Sequence, residues 1–154
     1  MKKIELQNAN KCEYKPYYSN KEQSFFTLPS SPCDYSVVLG NSQLCLDISA
    51  TDNIICSLNG YSRRKSWVEK KLDLPSSKPG RLIFNSTDEV ALGVGIEYIM
   101  GTNIYFDSNS NIICICEDIQ QDFSNFDTIE FNDNTYLTLS NNQIVSVWIK
   151  PEFM

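Results

Sequence analysis

From residue 36 onward, apolar positions recur with a period of two, in short runs separated by Asn-, Ser- and Gly-rich turns. That is the pattern of half-buried strands joined by tight connections. SVVL (36–39) ends at Gly40-Asn41, and QLCLDI (43–48) sets Leu44, Leu46 and Ile48 against Cys45 and Asp47. IICSL (54–58) returns after a polar loop and ends at Asn59-Gly60, which makes a hairpin. RLIF (81–84) is a further strand. In NIYFDSNSNIICICED (103–118), the IYF and IICIC runs are apolar on both faces, as expected of a covered central hairpin. TIEF (128–131), TYLTL (135–139) and QIVSVWI (143–149) read as a three-stranded meander stopped by Pro151.

Two regions do not fit this rhythm. Residues 1–35 are polar and are broken by Pro16, Pro29 and Pro32, so they read as an irregular segment. Its aromatic cluster Tyr14, Tyr17, Tyr18, Phe25 and Phe26 implies that it wraps the domain. Residues 62–74, SRRKSWVEKKLDL, suit either a short helix capped by Ser62 or an extended edge. The predicted fold is mainly β: an antiparallel sandwich or partly closed barrel of hairpins and a C-terminal meander, with at most one or two short helices. The expected organisation is one domain over 1–154, its β core spanning 36–151.

Composition narrows the chemistry. At 154 residues the chain suits one domain with a real core. Its 42% apolar content excludes a disordered chain, and no apolar window is long enough for a membrane helix. The start, MKKIELQNANKCEYK, is too polar for the apolar core of a secretion signal, so a cytoplasmic protein is expected. There is no histidine, which removes Ser-His-Asp triads, Cys-His dyads and most zinc enzymes. The six cysteines are then expected to be reduced thiols. Cys45, Cys56, Cys114 and Cys116 lie in apolar runs, where a thiol acts as a small hydrophobe. The pair Gly93-x-Gly95 lacks the third glycine of a nucleotide loop and reads as a bulge or close approach. No calcium loop or phosphate loop occurs. Trp67 and Trp148 read as core or rim anchors. No catalytic residue, metal site or cofactor is expected.

Charge is uneven. Of the net −6, residues 1–81 carry +4 and residues 82–154 carry −10. Basic density peaks at Arg63, Arg64, Lys65, Lys70, Lys71, Lys78 and Arg81. A bipolar solvated surface and an acidic docking face for a basic partner both fit this distribution. Direct nucleic-acid binding by the basic run is disfavoured by the overall acidity.

Several of these features together resemble a known group. They are L-C-L-D at 44–47, Gly60, Trp67, Pro79-Gly80-x-Leu82-x-Phe84, Y-F-D-x-x-x-N-I-I-C-I at 105–115 and V-W-I-K-P at 147–151. Over residues 40–151 the chain resembles the small bacterial immunity proteins encoded beside contact-dependent growth inhibition and related polymorphic toxins. The resemblance implies a non-catalytic cytoplasmic protein that neutralises a cognate toxin domain, commonly a basic nuclease such as an RNase, by occluding its active site. It brings no shared active-site residues. The alternative is a non-catalytic interaction domain with another protein partner. Neither reading needs a cofactor, a membrane or direct contact with nucleic acid. From charge and loop position, the expected partner-binding residues are Asp88, Glu89, Glu97, Glu117, Asp118, Asp122 and Asp127, with Tyr98, Phe123 and Phe126 as aromatic anchors.

Overall fold

The computed structural model describes residues 2–87 and 91–154. Among the described residues, sixteen strands form two mixed sheets that face each other as a sandwich, with no closed barrel. The first sheet contains β1 (Lys2–Gln7), β2 (Lys15–Ser19), β3 (Ser24–Leu28), β4 (Tyr35–Leu39), β5 (Gln43–Ser49), β6 (Ile54–Tyr61), β9 (Arg81–Ser86), β10 (Gly95–Tyr98) and β16 (Glu152–Phe153). The second contains β7 (Val68–Glu69), β8 (Ser77–Pro79), β11 (Asn103–Asp107), β12 (Ile112–Cys116), β13 (Asp127–Asn132), β14 (Thr135–Ser140) and β15 (Gln143–Ile149). The only helical pieces among the described residues are two 3-10 turns, Arg64–Ser66 and Phe123–Asn125. No helix of the described residues is long and apolar enough to cross a membrane.

The first sheet runs β10-β4-β5-β6-β3-β2-β16. β6 is long enough to hold two partners on one edge: Phe25 of β3 pairs at Gly60, and Ile83 of β9 pairs at Ile54. β1 then lies against β9. Gly60 is therefore inside β6, paired with Leu44, and does not end a hairpin. Its φ of 125° and the Gln43 carbonyl oxygen, 2.1 Å from where a Cβ would sit, leave room for glycine alone. The second sheet runs β7-β11-β12-β15-β14-β13-β8, with the expected meander at β13–β15. Asn141 and Asn142 both have positive φ in the β14–β15 turn, the conformation that matches strand twist.

Three expectations are corrected. Residues 1–35 are not irregular: β1, β2 and β3 lie within them and pair in the first sheet. Pro151 does not end the sheet structure, because β16 follows it and pairs with β2. The sheets are not wholly antiparallel, since β10–β4, β11–β7, β13–β8 and β16–β2 are parallel pairs, all at sheet margins. The ambiguous stretch after Ser62 is neither a regular helix nor one long strand. It makes a 3-10 turn, then β7, and then an extended strap, residues 70–76.

The core follows the alternation. Tyr35, Val37 and Leu39 of β4 and Leu44, Leu46 and Ile48 of β5 point inward. They join Ile113, Ile115, Val147 and Ile149 of the facing sheet in one cluster. Trp67 sits in this cluster at the junction of the sheets, with ring centroids 4.7 Å from Tyr18 and 5.4 Å from Phe106. Its indole N–H donates to Ser62 Oγ at 2.9 Å.

β12 is buried on both faces, as its apolar run implies. Its outward residues Cys114 and Cys116 enter a second cluster with Leu72, Phe123, Tyr136 and Trp148. The strap and the loop 117–126 supply the cover, with Leu72, Leu74, Ile119 and Phe126 turned down onto the sheet. β7 lies at one edge of this sheet and β8 at the other, so the strap crosses its whole outer face.

Candidate functional site

The loop 117–126 leaves β12 with the sequence EDIQQDFSNF. Ile119, Phe123 and Phe126 face the sheet, and Glu117, Asp118 and Asp122 are exposed. Phe123 stands edge-on to Trp148, with centroids 5.5 Å apart and planes at 87°. Local turns then order the acidic side. Asp122 Oδ1 accepts from the Ser124 N–H at 3.0 Å and the Ser124 hydroxyl at 2.6 Å, capping the second 3-10 turn. These hydrogen bonds hold the Asp122 carboxyl below its ordinary value. Asp118 Oδ1 accepts from the Gln120 N–H at 3.0 Å. Asp127 follows at the start of β13 and is exposed. None of these four carboxylates is ion-paired among the described residues, whose salt bridges are Lys11–Asp133 and Lys15–Glu152.

A cleft of about 350 Å³ separates this loop from the strap. Lys70, Lys71 and Asp73 line it on one side, Asp122 and Ser124 on the other, with Phe123 and Trp148 beneath. Lys78 shares a neighbouring depression with Phe126 and Asp127. The basic run of 63–81 therefore does not form a separate face. Part of it borders the acidic loop, and Arg64 is turned over the rings of Phe106 and Phe153, 5.1 and 4.9 Å from their centroids.

The remaining expected residues divide. Glu97 is exposed on β10, the outermost strand of the first sheet. Gly101, four residues on, packs so closely on Glu117 that a Cβ there would lie 2.5 Å from the Glu117 Cβ. The end of β10 thus leads to the acidic loop. Tyr98 and Phe123 are only 4% and 7% exposed. Both belong to the interior, so neither is a surface anchor as expected. Tyr98 Oη donates to Gln143 Oε1 at 2.6 Å and accepts from the Ile144 N–H at 2.8 Å, which joins the two sheets. Phe126 is half-buried in the second cluster. Asp88 and Glu89 lie outside the described residues.

Sequence reasoning missed an apolar fringe beside Glu97. Leu92, Val94 and Ile99 are 73%, 47% and 95% exposed. The signal lay in VALGVGIEYIM, apolar on both faces yet interrupted by two glycines, but it reads equally well as a covered strand.

A second polar group lies on the outer side of the first sheet. Asp47 is buried, and Cys33 and Cys45 approach its Oδ1 at 3.3 and 3.7 Å. Its Oδ2 accepts from Asn59 and, at 3.5 Å, from Ser31. Burial raises the Asp47 carboxyl above its ordinary value against these bonds. Burial, then the Asp47 charge, pushes Cys33 up to about 11 and Cys45 to about 12. Its donors are used within the cluster, and no group of three or more Cys, Asp or Glu among the described residues is arranged to hold a metal ion. This network serves to seat residues 31–33 on β5 and β6. No protein-family model matches the chain, and no curated protein matches it.

Proposed function

We propose that this protein is a toxin-neutralising binding protein that acts without catalysis. It caps a basic toxin domain, best matched by a nuclease, in the cytoplasm of the cell that makes the toxin. The observation that carries this reading is the acidic margin Glu117, Asp118, Asp122 and Asp127, exposed and unpaired among the described residues, against which the segment bearing the exposed Ile99 packs through Gly101 on Glu117. An exposed apolar anchor next to a charged rim is the anatomy of a protein-binding surface. A nuclease active site that holds phosphates is positively charged, so carboxylates fixed in advance complement it and speed encounter. The anchoring role passes from Tyr98 and Phe123 to Ile99, just past the end of β10, with Glu97 two residues before it.

The test is co-expression with the toxin domain encoded beside the gene, followed by titration into that toxin's activity assay. Stoichiometric inhibition is expected, with an association rate that falls as salt rises. Reversing Glu117, Asp118 and Asp122 to Lys should slow association at least about tenfold and flatten its salt dependence. Inhibition untouched by that reversal removes the acidic margin from the mechanism. Failure of any neighbouring toxin to bind removes the function.

A further inference from the structure

Residues 8–14 connect β1 to β2 and run along the side of the sandwich. On one flank they are tied to β13. The Cys12 N–H donates to the Phe131 carbonyl at 2.8 Å, Asn132 holds both backbone groups of Tyr14, and Lys11 pairs with Asp133. On the other flank the Cys12 side chain meets β6 of the opposite sheet. There its thiol lies 3.8 Å from the Ile55 carbonyl oxygen, beside the next residue, Cys56, whose own thiol approaches the Ile54 carbonyl oxygen at 3.5 Å. Cys12 is half-buried and Cys56 is 3% exposed, so the outer thiol meets solvent first. Arg81 of β9 brings its guanidinium near, and its Nε is buried with no hydrogen-bond partner.

We propose that Cys12 and Cys56 form an oxidisable dithiol, with Cys12 as the reacting thiol and Cys56 as its resolving partner, and that peroxide converts them to an intramolecular disulfide. The Cys12 sulfur attacks one peroxide oxygen, the O–O bond breaks, and the Cys12 proton leaves with the second oxygen as water. The Cys56 sulfur then attacks the resulting sulfenic acid, and the S–OH bond breaks to release a second water. Two thiols and one hydrogen peroxide become one disulfide and two waters. The neighbouring Cys56 thiol contributes most to thiolate character at Cys12, and the Arg81 and Lys11 charges add to it, against its burial. The product joins the segment bonded to β13 covalently to β6, and so closes this side of the sandwich.

The other thiols give the proposal its discriminating power. Exposure alone selects Cys33, which is exposed. Burial of its sulfur against the cluster, then the Asp47 charge, raises that thiol to about 11 and keeps it protonated. Cys114 and Cys116 lie beneath the strap. The experiment treats the fully reduced chain with dilute hydrogen peroxide, quenches at intervals and maps each cysteine by mass. The expected result is a first product lighter by two hydrogens, with Cys12 and Cys56 in one cross-linked peptide and the other four thiols free. Cys56→Ser should stop at a Cys12 sulfenic acid that dimedone traps, and Cys33→Ser should leave the rate unchanged. Arg81→Gln should slow the reaction about tenfold, and Arg81→Lys should recover most of the rate. Oxidation of Cys33 ahead of Cys12, or cross-links only between chains, overturns the proposal. So does survival of all six thiols at peroxide levels that oxidise a free cysteine peptide.

Discussion

Replacing Tyr98 by phenylalanine deletes one oxygen from the seam between the sheets and leaves the ring in place. That oxygen donates to Gln143 Oε1 and accepts from the Ile144 N–H. Gln143 is half-exposed and its amide still donates to the Lys2 carbonyl at 2.7 Å, so water can serve the vacated Oε1. Ile144 is 7% exposed, and its N–H is left without a partner. An orphaned buried donor costs about 1–3 kcal/mol, and the lost bond to Gln143 adds only a few tenths once water replaces it. The expected destabilisation is about 2 kcal/mol, which for a chain of this size lowers the melting midpoint by about 4–8 °C. Urea unfolding should show a lower midpoint at unchanged slope, because the surface exposed on unfolding is the same. Affinity for the proposed toxin partner, measured well below the midpoint, should not change. A loss under about 0.5 kcal/mol would refute the seam assignment. Weakened binding at full stability would return Tyr98 to the contact surface.

Trp67→Ala removes the ring shared by Tyr18, Phe25 and Phe106, and should cost about 3–5 kcal/mol by chemical denaturation. Asp47 gives a pH signature. Its folded carboxyl lies above the ordinary value of 3.8, so the folded state keeps the proton longer than the unfolded chain. Stability from this group therefore falls as pH rises from 3.8 to the raised value, and is level above it. Asp47→Asn should remove that fall, so the stability difference, variant minus parent, should grow between pH 4 and pH 7 in urea titrations. A constant difference would show that Asp47 titrates normally.

Where an apolar run, alternating or continuous, was bounded by turn residues, local pattern was enough. The meander β13–β15 and the β11–β12 hairpin were readable in this way. β2 and β3 were not, because their aromatics come in adjacent pairs. Tyr18 and Phe25 point into the core, while Tyr17 and Phe26 stack outside it with centroids 5.4 Å apart, so the period of two disappears. In β1 only Ile4 is buried, and one inward residue makes no pattern. The parallel marginal strands, β7, β8, β10 and β16, have two to four residues and partners far away in sequence, which no local signal can announce. At the site, the acidic positions were legible as charge. The direction of Phe123 was not: an aromatic ring in a loop carries the same local sequence whether it faces Trp148 or solvent. The burial of Asp47 likewise depends on residues 31–33, which come from outside its hairpin.

The strap that crosses the second sheet also fixes its own length. Laid flat, the six inter-strand spacings between β7 and β8 would measure about 29 Å. From Glu69 to Ser77 the chain has eight steps, which reach about 26–29 Å when fully drawn out. The belt is therefore taut and has almost no slack. Loss of a single residue between 70 and 76 would prevent it from reaching both buckles, whereas an added residue would only bow outward. Each buckle is also the terminal strand of the sheet, so a shortened belt would uncover at least one bare strand edge. The first sign of such a deletion would be self-association through that edge, ahead of any loss of the folded core.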